Sequence, residues 1–600
     1  MVEKITTETP ANITVESKQQ IEQQPGINLD DRLRDVPGFT LFKRSSSVVA
    51  NPTTQGVSLR GIGSSGASRT LVLWDGVPVN DPFGGWVYWT QFIPDEIERV
   101  EISRGAATSL FGNLAMSGEI GVFTEPPKAF HALFDYETGN ENTHDVTVGA
   151  SQLWSRWAIS GTARAFDTDG YYVVPASIRG PVDWRAGVRF VTGDVHVDSF
   201  SSLGNLFFKV NLLAEDRANG TMLTHNSTAL GTAALHYVRS WRHDSFSLLA
   251  YHVREGFHST FSSVGAGRRT ERLTYQQTVP SQTSGGALLW QHHELAWNFT
   301  GGGDGDRVSG TDTDRLVPSG FRIGSGSQFQ KGIFGQGDVT YRSLKLFAGA
   351  RENFVATGER FFSPSAGLAW GRKRLRLRGS VYRAFRAPTL NELYRNFSVG
   401  NTFTEANAAL RPETVFGSEA GIDWVGEGSS VRVTMFRNSM DNLITNVTLS
   451  SSPSSIVRQR ANAAAALSRG VEAEFRKQWK DWSGEAKYLF ADSRFLSGPR
   501  ISQVPKHQGS AELAYRHGGT LASAEVRSFD YQFDDDLNQF RLPGFATVQL
   551  MLRQRLTGAF SAELGLENAL NRVFYTAFTP TPNTGEPRLW RVGIRWDARR

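Results

Sequence analysis

No cysteine occurs anywhere in the 600 residues. That excludes a disulfide framework and any thiolate metal site, and it suits passage through an oxidising compartment where stray thiols are a hazard. No run of about 18 apolar residues exists either, so the sequence offers no membrane-spanning helix. A membrane barrel stays open, because its strands alternate lipid-facing and lumen-facing residues and keep the average hydropathy low. Basic blocks are also missing. The 64 Lys and Arg are interspersed with 59 Asp and Glu, for a net charge of +5. Without a concentrated patch this argues against nucleic acid as a partner, and lipid phosphates suit scattered cations better. The first residues, MVEKITTETPANITV, hold no apolar stretch and no small-residue cleavage site, so they are not a signal peptide. No blade-length repeat appears, which counts against a soluble propeller.

Aromatics and glycine are plentiful instead: 39 Phe, 15 Trp and 60 Gly, a composition that fits hairpins and interfacial aromatic girdles. The chain divides at Pro126-Pro127, giving a first part over 1–126 and a second over 127–600. In the first, Asn28 caps a helix through NLDDRLRDV, with Leu29, Leu33 and Val36 on one face and Pro37 as the stop. Thr70 to Val79 predicts a strand entering a tight turn at Asp75-Gly76. Ile97 to Gly105 and Gly118 to Thr124 predict further strands. Together these make a small α+β domain.

The second part alternates in segments of roughly ten residues, the length and period of barrel strands. Trp590, Val592, Ile594 and Trp596 share a face opposite Arg591, Gly593 and Arg595. Phe560, Ala562, Leu564 and Leu566 oppose Ser561, Glu563, Gly565 and Glu567. Val471, Ala473 and Phe475 oppose Glu472, Glu474 and Arg476. A polar interior tolerates such charged faces and a packed soluble sandwich does not. Ten short polar turns punctuate the strands, at Trp154, Asp198, Arg242, Gln291, Arg342, Gly371, Gly426, Lys480, His517 and Arg555, with mostly longer connections between them. A first strand, ten short turns and eleven long loops require 22 antiparallel strands. The expected fold is therefore an all-β transmembrane barrel with a small N-terminal α+β plug in its lumen.

The motifs LRDVPGF (from Leu33), GVSLRGIG (Gly56), LVLWDGVPVND (Leu71) and IERVEISRGAATSLFGNLAMSGEIGVFT (Ile97) are followed by four in the second part. These are FRAPTLNELY (Phe385), ANAALRPE (ending at Glu413), SRGVEAEF (Ser468) and LENALNRVFY (Leu566). In this order they resemble the TonB-dependent outer-membrane receptors along essentially the whole chain. Four residues, DARR, follow the final Trp596 of the terminal aromatic strand. The resemblance implies active import of a scarce, bulky ligand, energised by the TonB complex of the inner membrane. It also implies an outer membrane of lipid and lipopolysaccharide in a Gram-negative-type bacterium, and a monomer. It implies that Arg60 and Arg104 of the plug meet Glu419 and Glu472 of the barrel in a locking cluster. The bland alternative is that each Glu is a solvated lumen residue.

For ligand contact the segment FGGWVYW stands out, placing Phe83, Trp86, Tyr88 and Trp89 around two glycines. The resemblance puts it toward the outward apex, so Trp86 and Trp89 are expected on the floor of an open pocket; the alternative is packing inside the plug. Asp304, Asp306, Asp312 and Asp314 offer oxygen ligands that could suit Ca²⁺, but their spacing is not an EF-hand and the expectation is an acidic surface loop. His292 and His293 sit at a short turn and point to opposite faces, so they do not share a metal. No Ser–His–Asp, phosphate-loop or zinc-hydrolase pattern is present; no enzyme and no cofactor are expected. Ferric siderophores and cobalamin stand level as ligands. Haem is lowered because no His lies between Phe385 and Leu410, and another metal chelate or a saccharide stands behind. No convincing TonB box precedes Pro10. A mature chain beginning at Met1 would be a passive binding protein or gated pore, and a truncated or misplaced start is preferred.

Overall fold

A strict period of two organises most of this chain, and the computed structural model closes it into a barrel of 22 antiparallel strands. The structure describes residues 10–63, 66–105, 110, 112–355, 358–399, 402–452, 455–462 and 465–599. The stretch ahead of Pro10, where a TonB box was sought, lies outside them. The first barrel strand, Phe130–Gly139, pairs with the last, Leu589–Arg599, from Arg591↔Gly139 to Arg599↔His131. Closure leaves no unpaired edge.

All ten short turns lie at one end, as in Trp241/Asp244 and Trp479/Trp482. At the other end, connections range from three residues (140–142 and 222–224) to the long segment between Arg386 and Glu413. Strand length departs from the ten-residue expectation. Glu271–His293 and its neighbours Asp244–Val264 and Trp297–Leu316 run to 20 residues or more. They continue past the apolar band, their outward residues turning polar at Arg307, Ser309 and Thr311, where the alternation loses its hydrophobic signature.

The outward face carries exposed Leu212, Leu288, Ile333, Phe416, Met435 and Ile594, a surface that fits hydrocarbon. Near the short turns it gives way to aromatic pairs. Trp154 stacks on Trp157 at 4.2 Å and Trp241 on Phe246 at 5.2 Å, the amphipathic rings expected at a membrane interface.

The lumen is filled by the described residues between 10 and 124. A five-stranded sheet holds Asn12–Ser17, Ile97–Arg104, Gly118–Thr124, Thr70–Trp74 and Val77–Pro78 in that spatial order. The Asn28 helix forms as Leu29–Arg32 and tightens to a 3-10 turn over Leu33–Asp35; Leu29, Leu33 and Val36 are buried. A further helix, Lys18–Gln23, is closed by a reciprocal Ser17–Gln20 cap. One sheet face, with Val72, Trp74, Val100, Ile102, Ile120 and Val122, packs on Leu29, Leu33, Phe39 and Trp89. The other face turns to the barrel wall.

Candidate functional site

The plug meets the wall through buried ion pairs as well as apolar seams. Arg60 has φ +53 and Gly61 +66, a turn that points the arginine out of the plug. Its Nη1 donates to Glu419 at 2.5 Å, and its Nη2 and Nε donate to Glu472 at 3.0 and 3.2 Å. Burial alone would lower its pKa; the Glu472 and Glu419 carboxylates outweigh that and raise it. Its charge is therefore fixed. Arg104 Nε lies 3.5 Å from Glu472 and its Nη1 3.4 Å from Glu474. Asn12 and Thr14, on the first plug strand, donate to Glu472 and Glu474, each at 2.7 Å. The structure thus brings Arg60, Arg104, Glu419 and Glu472 into one buried cluster, and Arg104 reaches Glu474 rather than Glu419. The signal for Glu474 was present in the sequence, since it shares the inward face of Glu472 two residues on.

Two other contacts were not read from the sequence. Arg69 of the plug donates to Glu413 at 2.6 Å, and Glu413 also accepts from Arg386, which pairs with Glu392 at 2.9 Å. Glu392 is held by the Thr389 cap of the short helix Leu390–Tyr394. Farther round the wall, Lys209 donates to Asp75 at 2.8 Å and lies 3.4 Å from the Trp74 ring centroid. Asp75 does form the tight turn, at φ +50. It also accepts from Thr124 N–H and Oγ1.

The four candidate aromatics require a correction, because none lies open to the outside. Trp89, 1% exposed, belongs to the plug core, edge-on to Phe39 at 5.7 Å. Trp86, 2% exposed, packs against Phe257 of the wall at 6.4 Å. Tyr88 donates to Glu255 at 2.6 Å, and Phe83 sits among Phe257, Val279 and Leu390. The glycines are the physical reason. The Trp86 ring folds back over Gly84, where any Cβ would collide with it. What looked like an open aromatic platform is plug core at Trp89 and a seam between plug and wall at Phe83, Trp86 and Tyr88.

The acidic loop is corrected too. Asp304, Asp306, Asp312 and Asp314 lie within the strand Trp297–Leu316 and point inward. Arg351 pairs with Asp304 at 2.5 Å, Arg322 with Asp314 at 2.5 Å, and Gln277 bridges Asp312 and Asp314. Among the described residues, no group of three His or carboxylate side chains is placed to hold a metal. His292 takes Asp244 at 2.9 Å and His293 takes Asn298.

Between the second face of the plug sheet and the wall lies a cavity of about 350 Å³. Leu71, Leu73, Glu119 and Phe123 line its plug side; Leu249, Tyr251, Asp306 and Phe334 line its barrel side. Glycines make this wall thin. At Gly332 a Cβ would collide with the Arg351 guanidinium, so the bare position is what lets Arg351 reach Asp304.

Comparison with known proteins agrees with this architecture. The TonB-dependent Receptor Plug Domain model matches residues 6–118, and the TonB dependent receptor-like, beta-barrel model matches residues 154–569. The chain is 21% identical to the Ferric enterobactin receptor of Pseudomonas aeruginosa, over 95% of this chain and 89% of that one. It is 23% identical to the Vitamin B12 transporter BtuB of Vibrio vulnificus, over 73% and 68%. The crystal structure of the siderophore receptor PirA from Acinetobacter baumannii superposes with a TM-score of 0.79 at 15% identity, covering 98% of each chain. A 22-stranded barrel, a plug seated in it, and family models spanning both parts make this chain a member of the TonB-dependent receptor family.

Proposed function

We propose that this receptor sits in the outer membrane of a Gram-negative-type bacterium, among lipid and lipopolysaccharide, and works as a monomer. It imports a scarce, bulky metal complex, a ferric siderophore or a cobalamin-type ligand, with energy delivered through TonB. One observation carries the reading: the lumen of a 22-stranded barrel is filled by a plug that buried ion pairs hold to the wall. Directional Arg–carboxylate bonds hold in one geometry and yield once that geometry is broken. Arg60, Arg104, Glu419 and Glu472, extended by Glu474, are the lock in this reading. The ligand class draws on relatives named for ferric enterobactin and for vitamin B12.

The test is capture of native ligand from spent medium by the purified protein, identified by mass spectrometry, followed by uptake of that ligand in cells with and without TonB. Accumulation that stops without TonB supports the reading. Accumulation that continues unchanged makes the chain a passive binding barrel or gated pore.

A further inference from the structure

The cavity behind the plug sheet is unusual in its charge balance. Its walls are largely apolar, yet Glu119 projects from the plug strand into it at 7% exposure. No hydrogen bond or ion pair reaches the Glu119 carboxylate among the described residues. Burial, reinforced by the charge of Glu101, pushes its pKa up to about 8. Glu101 itself is held by Arg99 at 2.7 Å. Across the cavity the wall offers Asp306, which likewise has no hydrogen-bond or ion-pair partner among the described residues, while the nearby Arg351 is committed to Asp304. An uncompensated buried carboxylate costs folding free energy. Here a buried one, Glu119, and a half-buried one, Asp306, line the same cavity from the plug and the barrel, with Lys331 and Arg351 as the cations on its barrel side, the arrangement of a pocket with a few placed polar groups.

We infer that this cavity is a binding site for a small organic cation with an apolar body, a protonated amine or amidine, taken between Glu119 of the plug and Asp306 of the wall. The apolar faces of Leu71, Leu73 and Phe334 accept the body of such a ligand, and the two carboxylates accept its N–H donors as charge-assisted bonds. The site goes beyond the import reading and does not depend on which ligand enters from outside. A cation seated there adds a tie between the plug sheet and the wall, beside those that Arg351 makes to the Leu110 carbonyl and Lys209 to Asp75.

The test uses the full chain in mild detergent, titrated calorimetrically with benzylamine and with benzyl alcohol as its neutral counterpart. Benzylamine is expected to bind and benzyl alcohol to bind at least about tenfold more weakly, the scale of a lost charge-assisted bond. Glu119→Gln and Asp306→Asn are each expected to weaken benzylamine by a similar factor, and Glu119→Asp to retain most of the affinity. Removing an unpaired carboxylate leaves folding intact, which a heat-modifiability gel checks on every variant. Equal binding of alcohol and amine, or benzylamine binding unchanged in both charge-removing variants, overturns the site.

Discussion

Arg60 and Glu472 stand 412 residues apart in sequence, yet Arg60 Nη2 donates to Glu472 Oε2 across 3.0 Å with both side chains out of water. The same guanidinium reaches Glu419 on the other side, so one plug residue bridges two barrel carboxylates. Arg104 makes only longer approaches, to Glu472 and Glu474. The two arginines are therefore unequal. Arg60→Ala leaves two carboxylates buried and facing each other, and breaking a buried pair this way costs about 3–5 kcal/mol. Cells lacking other large pores are expected to admit a bulky antibiotic through Arg60→Ala well above wild type, and through Arg104→Ala to a smaller extent. The barrel should still migrate as a folded species before boiling. Equal leak in both variants would show that the asymmetry carries no weight.

Much of this arrangement was legible in the sequence because a barrel repeats its rule. Each inward residue lies two from the next, so Glu472 and Arg591 declared their face, and all ten short turns were found at their polar breaks. Legibility failed where that rule lost contrast. Beyond the apolar band outward residues become polar and glycine is frequent, so GDGDRVSGTDTD looked like a loop although it continues a strand. Arg69 and Glu413 carry no periodic signal; their meeting is set by where the plug sits in the lumen. Trp86 and Trp89 were misplaced for a local reason. Glycine beside an aromatic permits an open platform or a ring folded onto backbone, and only the surrounding wall decides between them.

Trp89→Ala is accordingly a core truncation. It removes a buried indole from the contacts with Phe39 and Phe92, a change worth about 3–5 kcal/mol. The plug is expected to become sensitive to protease with barrel yield unchanged. Gly84→Ala should give the same phenotype by a different route, since its Cβ displaces the Trp86 ring. Limited proteolysis followed by mass spectrometry of the released fragments reads both.

Asp75 supplies a pH dependence with a defined sign. Burial would raise its pKa, but the Lys209 charge and hydrogen bonds from Lys209 and Thr124 outweigh this and bring it below the ordinary value of 3.8. A depressed carboxylate contributes stability that is fully present above its unfolded pKa and lost as pH falls through the folded one. Wild-type plug should therefore be more resistant to urea than Asp75→Asn at pH 7, followed by tryptophan fluorescence. The gap between the two proteins should close as the pH drops below 3.8. A gap independent of pH would mean that the Asp75 charge is not what Lys209 holds.

The absence of cysteine makes a covalent test of plug movement clean, because any disulfide is an engineered one. A Cβ placed on Gly61 would lie 2.7 Å from Ser493 Oγ and 3.1 Å from the Ala491 methyl. Cysteines at 61 and 493 thus start within bonding range, needing only small shifts to reach disulfide geometry. The positive φ at Gly61 adds strain of roughly 1–2 kcal/mol for a residue with a side chain, which the buried ion pairs beside it should tolerate. Gly61→Cys with Ser493→Cys is expected to bind ligand at the surface as wild type does, whether oxidised or reduced. Uptake should stop on oxidation and return with reductant, because the crosslink fixes the plug at the seam that Arg60 guards. Full uptake by the oxidised protein would show that this side of the plug stays in place during transport, and would direct attention to the opposite side, where Lys209 meets Asp75.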